Sequence, residues 1–200
     1  TTGALPAVLP TVSGTTRLST AALPDPLVTA AMADVKSIYD SLRARTQTSA
    51  LAGDLIGRTL TSGVYFAGAA IANSGTLTLD GENDPNAVFI FQIDAAFGVA
   101  AASKILLINQ ASANNVYWVT LGAIGIGAAA TFSGIAVTTA AIGAGAAAII
   151  NGRLLTSSAA TAAVKLDSNV INSVTGTVSP APVSVVATAL DQTRISLAIG

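Results

Sequence analysis

The widest chemical reach in this 200-residue chain belongs to the acidic stretch Asp80-Gly-Glu-Asn-Asp-Pro-Asn86. Its alternating side-chain oxygens could ligate Ca²⁺, a cation that takes about six to eight such ligands. The spacing departs from the EF-hand loop, and Asp-Gly and Asp-Pro are turn dipeptides, so a solvated turn is the stronger reading. Gly122-Ala-Ile-Gly-Ile-Gly127 has the glycine content of a phosphate loop but neither the Gly-x-Gly-x-x-Gly order nor a Lys, and packing corners explain it better. Tyr117 and Trp118 could stack on a sugar, yet neighbouring strand residues face opposite sides, which leaves at most one ring exposed. The ten carboxylates are too scattered to single out a glycosidase pair. Zero Cys and zero His remove thiol nucleophiles, Ser-His-Asp triads, disulfides and most transition-metal sites together. The expectation is therefore no enzyme, no cofactor and no metal.

Composition narrows the class further. Hydrophobic residues make up 52% of the chain, charged residues 10% and aromatic residues 4%, so the apolar content is small and aliphatic. A net charge of -1 gives no electrostatic footprint for nucleic acid or an anionic membrane. The length suits one domain with an extension. Thr1 opens the chain without Met or an apolar leader, which is read as an extracellular, secreted protein with its signal peptide removed.

Four prolines among residues 1–26 forbid a long helix there and indicate an extended arm. From Leu27 to Arg45 apolar residues recur at steps of three and four, which predicts an amphipathic helix with Asp25 as N-cap. Short β-prone runs broken by Gly or Asn follow from Leu60. Ile124-Gly-Ile-Gly-Ala-Ala-Ala130 is echoed at a fixed step by Ile142-Gly-Ala-Gly-Ala-Ala-Ala148, and more weakly by Ala160-Thr-Ala-Ala-Val-Lys-Leu166. Such a period is the rung of a β-solenoid, whose rungs must stack to bury a face. The uncharged stretch between Lys104 and Arg153 is long enough for a membrane span, but its glycine pairs and repeat argue for strands, so none is expected. The expected domains are an arm over 1–26, a solenoid over 27–177 with its side helix at 27–45, and a linker and strand extension over 178–200.

Ile56-Gly-Arg-Thr-Leu-Thr-Ser-Gly-Val-Tyr65, Gly75-Thr-Leu-Thr-Leu-Asp-Gly81 and Asp84-Pro-Asn-Ala-Val-Phe-Ile-Phe-Gln-Ile93, followed by Asn115-Val-Tyr-Trp118, Phe132-Ser-Gly134 and Asn151-Gly-Arg-Leu154, resemble the ice-binding-protein-like family from about residue 34 to 171. The resemblance implies a mainly β fold: a discontinuous right-handed β-helix of triangular section, with one α-helix along its side, in a secreted non-enzymatic protein. Two departures are visible. The arm replaces the family's N-terminal strand region, and the strands matching the family's Thr-rich flat face read as Ala and Gly. The candidate flat face is then Ala100, Ala102, Ala128, Ala130, Ala146 and Ala148. Residues Val183, Val185, Ala187, Ala189, Ile195, Leu197 and Ile199 alternate as strands after a Pro-stiffened linker, and could fill a neighbour's vacant coil by β-augmentation. The leading expectation is a structural subunit whose partners are copies of itself in an open extracellular fibre. A monomeric ice-binding protein, with ice as its partner, is the alternative, and a surface adhesin module a further one.

Overall fold

The computed structural model describes residues 26–157 and 164–172. Helix α1 (Pro26–Arg43) buries Val28, Ala31, Val35, Tyr39 and Leu42 along one stripe. Pro26 suits a first turn, where a missing N–H costs nothing. Lys36 pairs with Asp40 one turn on at 2.6 Å. The helix stops short of Arg45 because Gln92, buried in the body, donates its Nε2 amide to the carbonyls of Leu42 (2.8 Å), Arg43 (3.3 Å) and Arg45 (2.9 Å). These are carbonyls that a helix end leaves without partners. Arg43 also pairs with Asp94. Asp25 lies outside the described residues.

The strands are β1 (Ser49–Ala50), β2 (Thr59–Leu60), β3 (Gly63–Ala67), β4 (Ile71–Asn73), β5 (Thr76–Asp80), β6 (Phe89–Ile93), β7 (Phe97–Val99), β8 (Lys104–Ile108), β9 (Val116–Thr120), β10 (Ile124–Ile126), β11 (Thr131–Thr138), β12 (Ile142–Ala144), β13 (Ile149–Thr156), β14 (Val164–Leu166) and β15 (Val170–Asn172). All named pairs are parallel, as the rungs of a solenoid must be. Three sides result. The helix side stacks β1, β3, β6, β9 and the second halves of β11 and β13. A second side, here the glycine side, stacks β4, β7, β10, β12 and β14. The third stacks β2, β5, β8, the first halves of β11 and β13, and β15. The fold expected from the sequence is the fold observed: mainly β, a solenoid with one helix at its side.

The echo in the sequence is the rung itself, since Ile124 pairs with Ile142, Gly125 with Gly143 and Gly134 with Gly152. The third echo is out of step. Ile142 pairs with Val164 and not with Ala160, so the connection entering β14 is longer than the one entering β12. β11 and β13 each run across two sides in one strand, and they bend at Gly134 (φ +125°) and Gly152 (φ +152°). A Cβ on Gly152 would overlap the carbonyl of Gly134, so close stacking at the bend requires glycine there.

Inward side chains fill the solenoid. Phe91 and Phe97 stack on Trp118 at ring separations of 3.9 and 4.5 Å, with Tyr65 beyond Phe91 at 5.3 Å. The fully buried indole donates to the Ser133 carbonyl at 3.1 Å, as a buried Trp N–H must find a partner. A second cluster lies under the helix, where Val35, Tyr39 and Leu42 cover Ile90, Val119, Ile135, Val137 and Leu155. Buried hydroxyls close one corner: Thr138 donates to the Thr120 and Gly122 carbonyls, and Thr156 to that of Ala140. Among the described residues no helix is long and apolar enough to cross a membrane.

Candidate functional site

The strands of the glycine side are so short that each turns two side chains inward and one outward. The inward pairs are buried: Ile71 and Asn73, Phe97 and Val99, Ile124 and Ile126, Ile142 and Ala144. The outward row, fixed by register, is Ala72, Gly98, Gly125, Gly143 and Lys165. On one flank of this row stand Ala70, Ala96, Ala123 and Ala141; on the other stand Ser74, Ala100, Gly127, Gly145 and Asp167. Across four successive rungs, then, no outward position on this side holds anything larger than serine, and none is charged. Charge borders these rungs at both ends: Asp54 is bridged to Ala72 ahead of the first and accepts from the Ser74 amide at 3.0 Å, and Lys165 and Asp167 stand at the last rung.

Glycine in a strand usually marks a close approach of another backbone. Gly122 fits that rule, because a Cβ there would meet the backbone of Ala95 and Ala96 at 2.6–2.9 Å. Gly127 fits it as well, against Ala101. Gly125 and Gly143 do not, since nothing lies within 4 Å of an added Cβ, and at Gly98 the nearest atom is the Ala72 Cβ at 4.0 Å. At the adjoining corner the inversion runs the other way. Ala102, Ala129 and Ala147 hold φ of +58°, +56° and +58°, a region that favours glycine. Side chains are thus missing where there is room for them, and methyls are present where backbone strain opposes them. Locally broken rules of this kind concentrate at functional surfaces.

The other two sides contrast with this one. The helix side is covered by α1. The third side projects residues of mixed size, among them Thr76, Lys104, Leu106 (38% exposed), Thr131, Ile149 (39%) and Val170 (54%).

The alanines expected to form the flat face are distributed differently. The strands end at Val99, Ile126 and Ala144, and the alanine runs after them turn the corner. Ala100 flanks the glycine row, while Ala102, Ala128 and Ala146 are exposed on the corner itself. Ala130 and Ala148 are fully buried, because the residue leaving a left-handed turn points back into the core. The outward row of the glycine side is therefore offset from those six residues by about one strand position. Trp118 is core and Tyr117 is half-buried in the cluster beneath the helix, so neither ring forms a platform. In the acidic stretch Asp80 accepts from the Glu82 amide (2.8 Å) and Asn109 Nδ2 (2.9 Å), and Asp84 accepts from the Asn86 amide (2.8 Å). The two amide contacts are the hydrogen bonds of turns, and the Asn109 contact ties the stretch to the next rung. Among the described residues no group of three or more His, Cys, Asp or Glu could hold a metal ion. Val183, Val185, Ala187, Ala189, Ile195, Leu197 and Ile199 lie outside the described residues.

Comparison with known proteins completes the picture. The sequence profile of the Ice-binding-like family matches residues 3–172, a span that takes in most of the arm as well as the solenoid. Over 78 residues, 38% of this chain, the sequence is 50% identical to Ice-binding protein 1 of Shewanella frigidimarina, of which that stretch is 9%. Over 111 residues, 55% of this chain, it is 35% identical to an ice-binding protein of Nostoc sp., covering 41% of it. The crystal structure of the ice-binding protein from the Antarctic ascomycete Antarctomyces psychrotrophicus superposes with a TM-score of 0.70 at 35% identity, over 76% of this chain and 74% of that one. The chain spans less than half the length of the first curated relatives it matches. Their names correct the leading expectation of a filament subunit: these relatives and this structure are named for ice binding, and nothing in them points to self-assembly. The chain belongs to the ice-binding-like family.

Proposed function

We propose that this protein binds ice as a single copy, outside the cell and without catalysis, through the glycine side of its solenoid. The observation that carries the reading is the four-rung surface of Ala, Gly and Ser, uncharged and left uncovered among the described residues. Parallel strands repeat every ~4.8 Å along the solenoid and outward positions every ~6.7 Å along a strand, so the surface is a regular grid. Methyls and bare backbone on such a grid offer water few competing hydrogen bonds. Water resting there takes its order from neighbouring water, as it does against ice, and apolar area leaves bulk solvent when the two surfaces meet. Hydroxyl rows are not needed for that contact, which is how a Thr-poor face serves the same end. The relatives' names support the ligand, and the grid supports the place.

The test is thermal hysteresis and ice-crystal shaping by the 200-residue chain, with light scattering on the same sample. A hysteresis gap, faceted crystals and a monomer are expected. Round crystals with no gap would remove the ice reading, and a polymer would remove the single copy.

A further inference from the structure

The stack ends abruptly at its last described rung. Nothing among the described residues pairs with the outer edges of β14 and β15. Of their inward side chains only Val164 is covered; Leu166 and Ile171 are half-buried. Their counterparts one rung earlier, Ala144 and Ile150, are buried to 6% and 0% exposure, and Ile126 and Phe132 below them to 3% and 0%. Val170 is 54% exposed. One more rung of apolar cover is wanting on two sides.

The sequence beyond Asn172 carries a match for that rung. Leu166-Asp-Ser-Asn-Val-Ile171-Asn172 crosses the corner from β14 to β15, with Ser168 at φ +50°. Leu190-Asp-Gln-Thr-Arg-Ile195-Ser196 repeats it further along the chain: Leu and Ile at the two inward positions, Asp opening the corner, short polar residues within and after it. The step from Leu166 to Leu190 is close to the step from Ala144 to Leu166, which spans one rung. Length allows the crossing, since the chain between Asn172 and Leu190 is longer than that between Asn151 and Leu166 in the rung before.

We propose that residues 188–196 dock on the end of their own solenoid as a further rung, with Leu190 over Leu166 and Ile195 over Ile171. The occupant is this chain's own segment because it alone carries the corner signature in the order the edge requires, and the intervening chain reaches. Arg194 then stands beside Val170 on the third side, one strand spacing away at ~4.8 Å. That separation lies within the Cα range of a disulfide.

The chain has no cysteine, so a cross-link reads cleanly. In the full 200-residue protein Val170→Cys with Arg194→Cys is expected to oxidise to an intramolecular disulfide, with a monomer of altered mobility on a non-reducing gel. The out-of-register pair Val170→Cys with Ser196→Cys should give severalfold less. Leu190→Asp, pointing inward, should lower Tm by several degrees, while Ser196→Asp, pointing outward, should leave it unchanged. A disulfide-linked dimer would show that a second copy fills the edge and overturn the proposal. So would failure of the designed pair to close, or equal Tm for the two Asp variants.

Discussion

Substituting Gly125 by Arg separates the surface from the fold beneath it. An added Cβ at this position meets nothing within 4 Å, so the new side chain projects from the face without disturbing the core. Replacing a strand glycine removes an entropic penalty of about 0.5–1 kcal/mol, so stability should hold or rise. In a chain of this size each kcal/mol corresponds to about 2–4 °C in Tm. Function should move the other way. Four rungs by three outward columns, each position occupying a cell of about 4.8 Å by about 6.7 Å, give about 19 Å by about 20 Å, or roughly 380 Å². At ~25 cal/mol per Å² that contact is worth about 10 kcal/mol before any entropic cost. An extended Arg in its middle holds the opposing plane away. Blocking a quarter of the contact, about 2.4 kcal/mol, already exceeds a tenfold loss. The assay is thermal hysteresis against concentration, with Tm measured on the same preparation and Leu106→Arg on the third side as the control. Undiminished hysteresis in a folded Gly125→Arg protein, or equal losses in both variants, would refute the assignment of the site.

Gln92→Leu keeps the side-chain volume but removes the amide that caps the end of α1, leaving carbonyls without their donor. A loss of about 1–3 kcal/mol is expected, with faster hydrogen exchange over the last turn of the helix as the local check. The pH dependence should be set at the extremes. Burial holds the phenols of Tyr39 and Tyr65 above their ordinary value of 10.0. Their contribution is therefore complete below that pH and is lost as pH rises through the folded values. Tyr65→Phe should flatten the alkaline limb of a Tm–pH curve. At the other end, hydrogen bonds from Ser74 and from the Ile56 amide hold Asp54 below the usual carboxylate range, so its contribution fades only as acid protonates it, and Asp54→Asn should remove that part of the acid limb.

The helix and the rung were legible because both rest on contrast in side-chain size and polarity. Val35, Tyr39 and Leu42 stand out against Lys36 and Asp40, and Ile124 and Ile142 mark the same inward position twice. The face we propose for ice was legible only to within about one strand position. In runs such as Gly127-Ala-Ala-Ala130 no residue differs enough from its neighbours to show which points inward. The left-handed corners were hidden for a related reason: the usual signal for positive φ is Gly or Asn, and here Ala takes the position. Glycines that floor the surface, Gly125 and Gly143, look in sequence like those that pack a corner, Gly122 and Gly127; only the space around each one tells them apart. The cap on α1 was invisible because Gln92 lies far along the chain from the carbonyls it serves.

The step from Ile124 to Ile142 has a consequence for how such a molecule changes size. Both ends of that step present the same cross-section, so a gene segment encoding a single rung can be copied or excised there and leave both cut surfaces matching. Length thereby becomes a heritable quantity that varies in whole units, and each unit adds or subtracts one uncharged stripe.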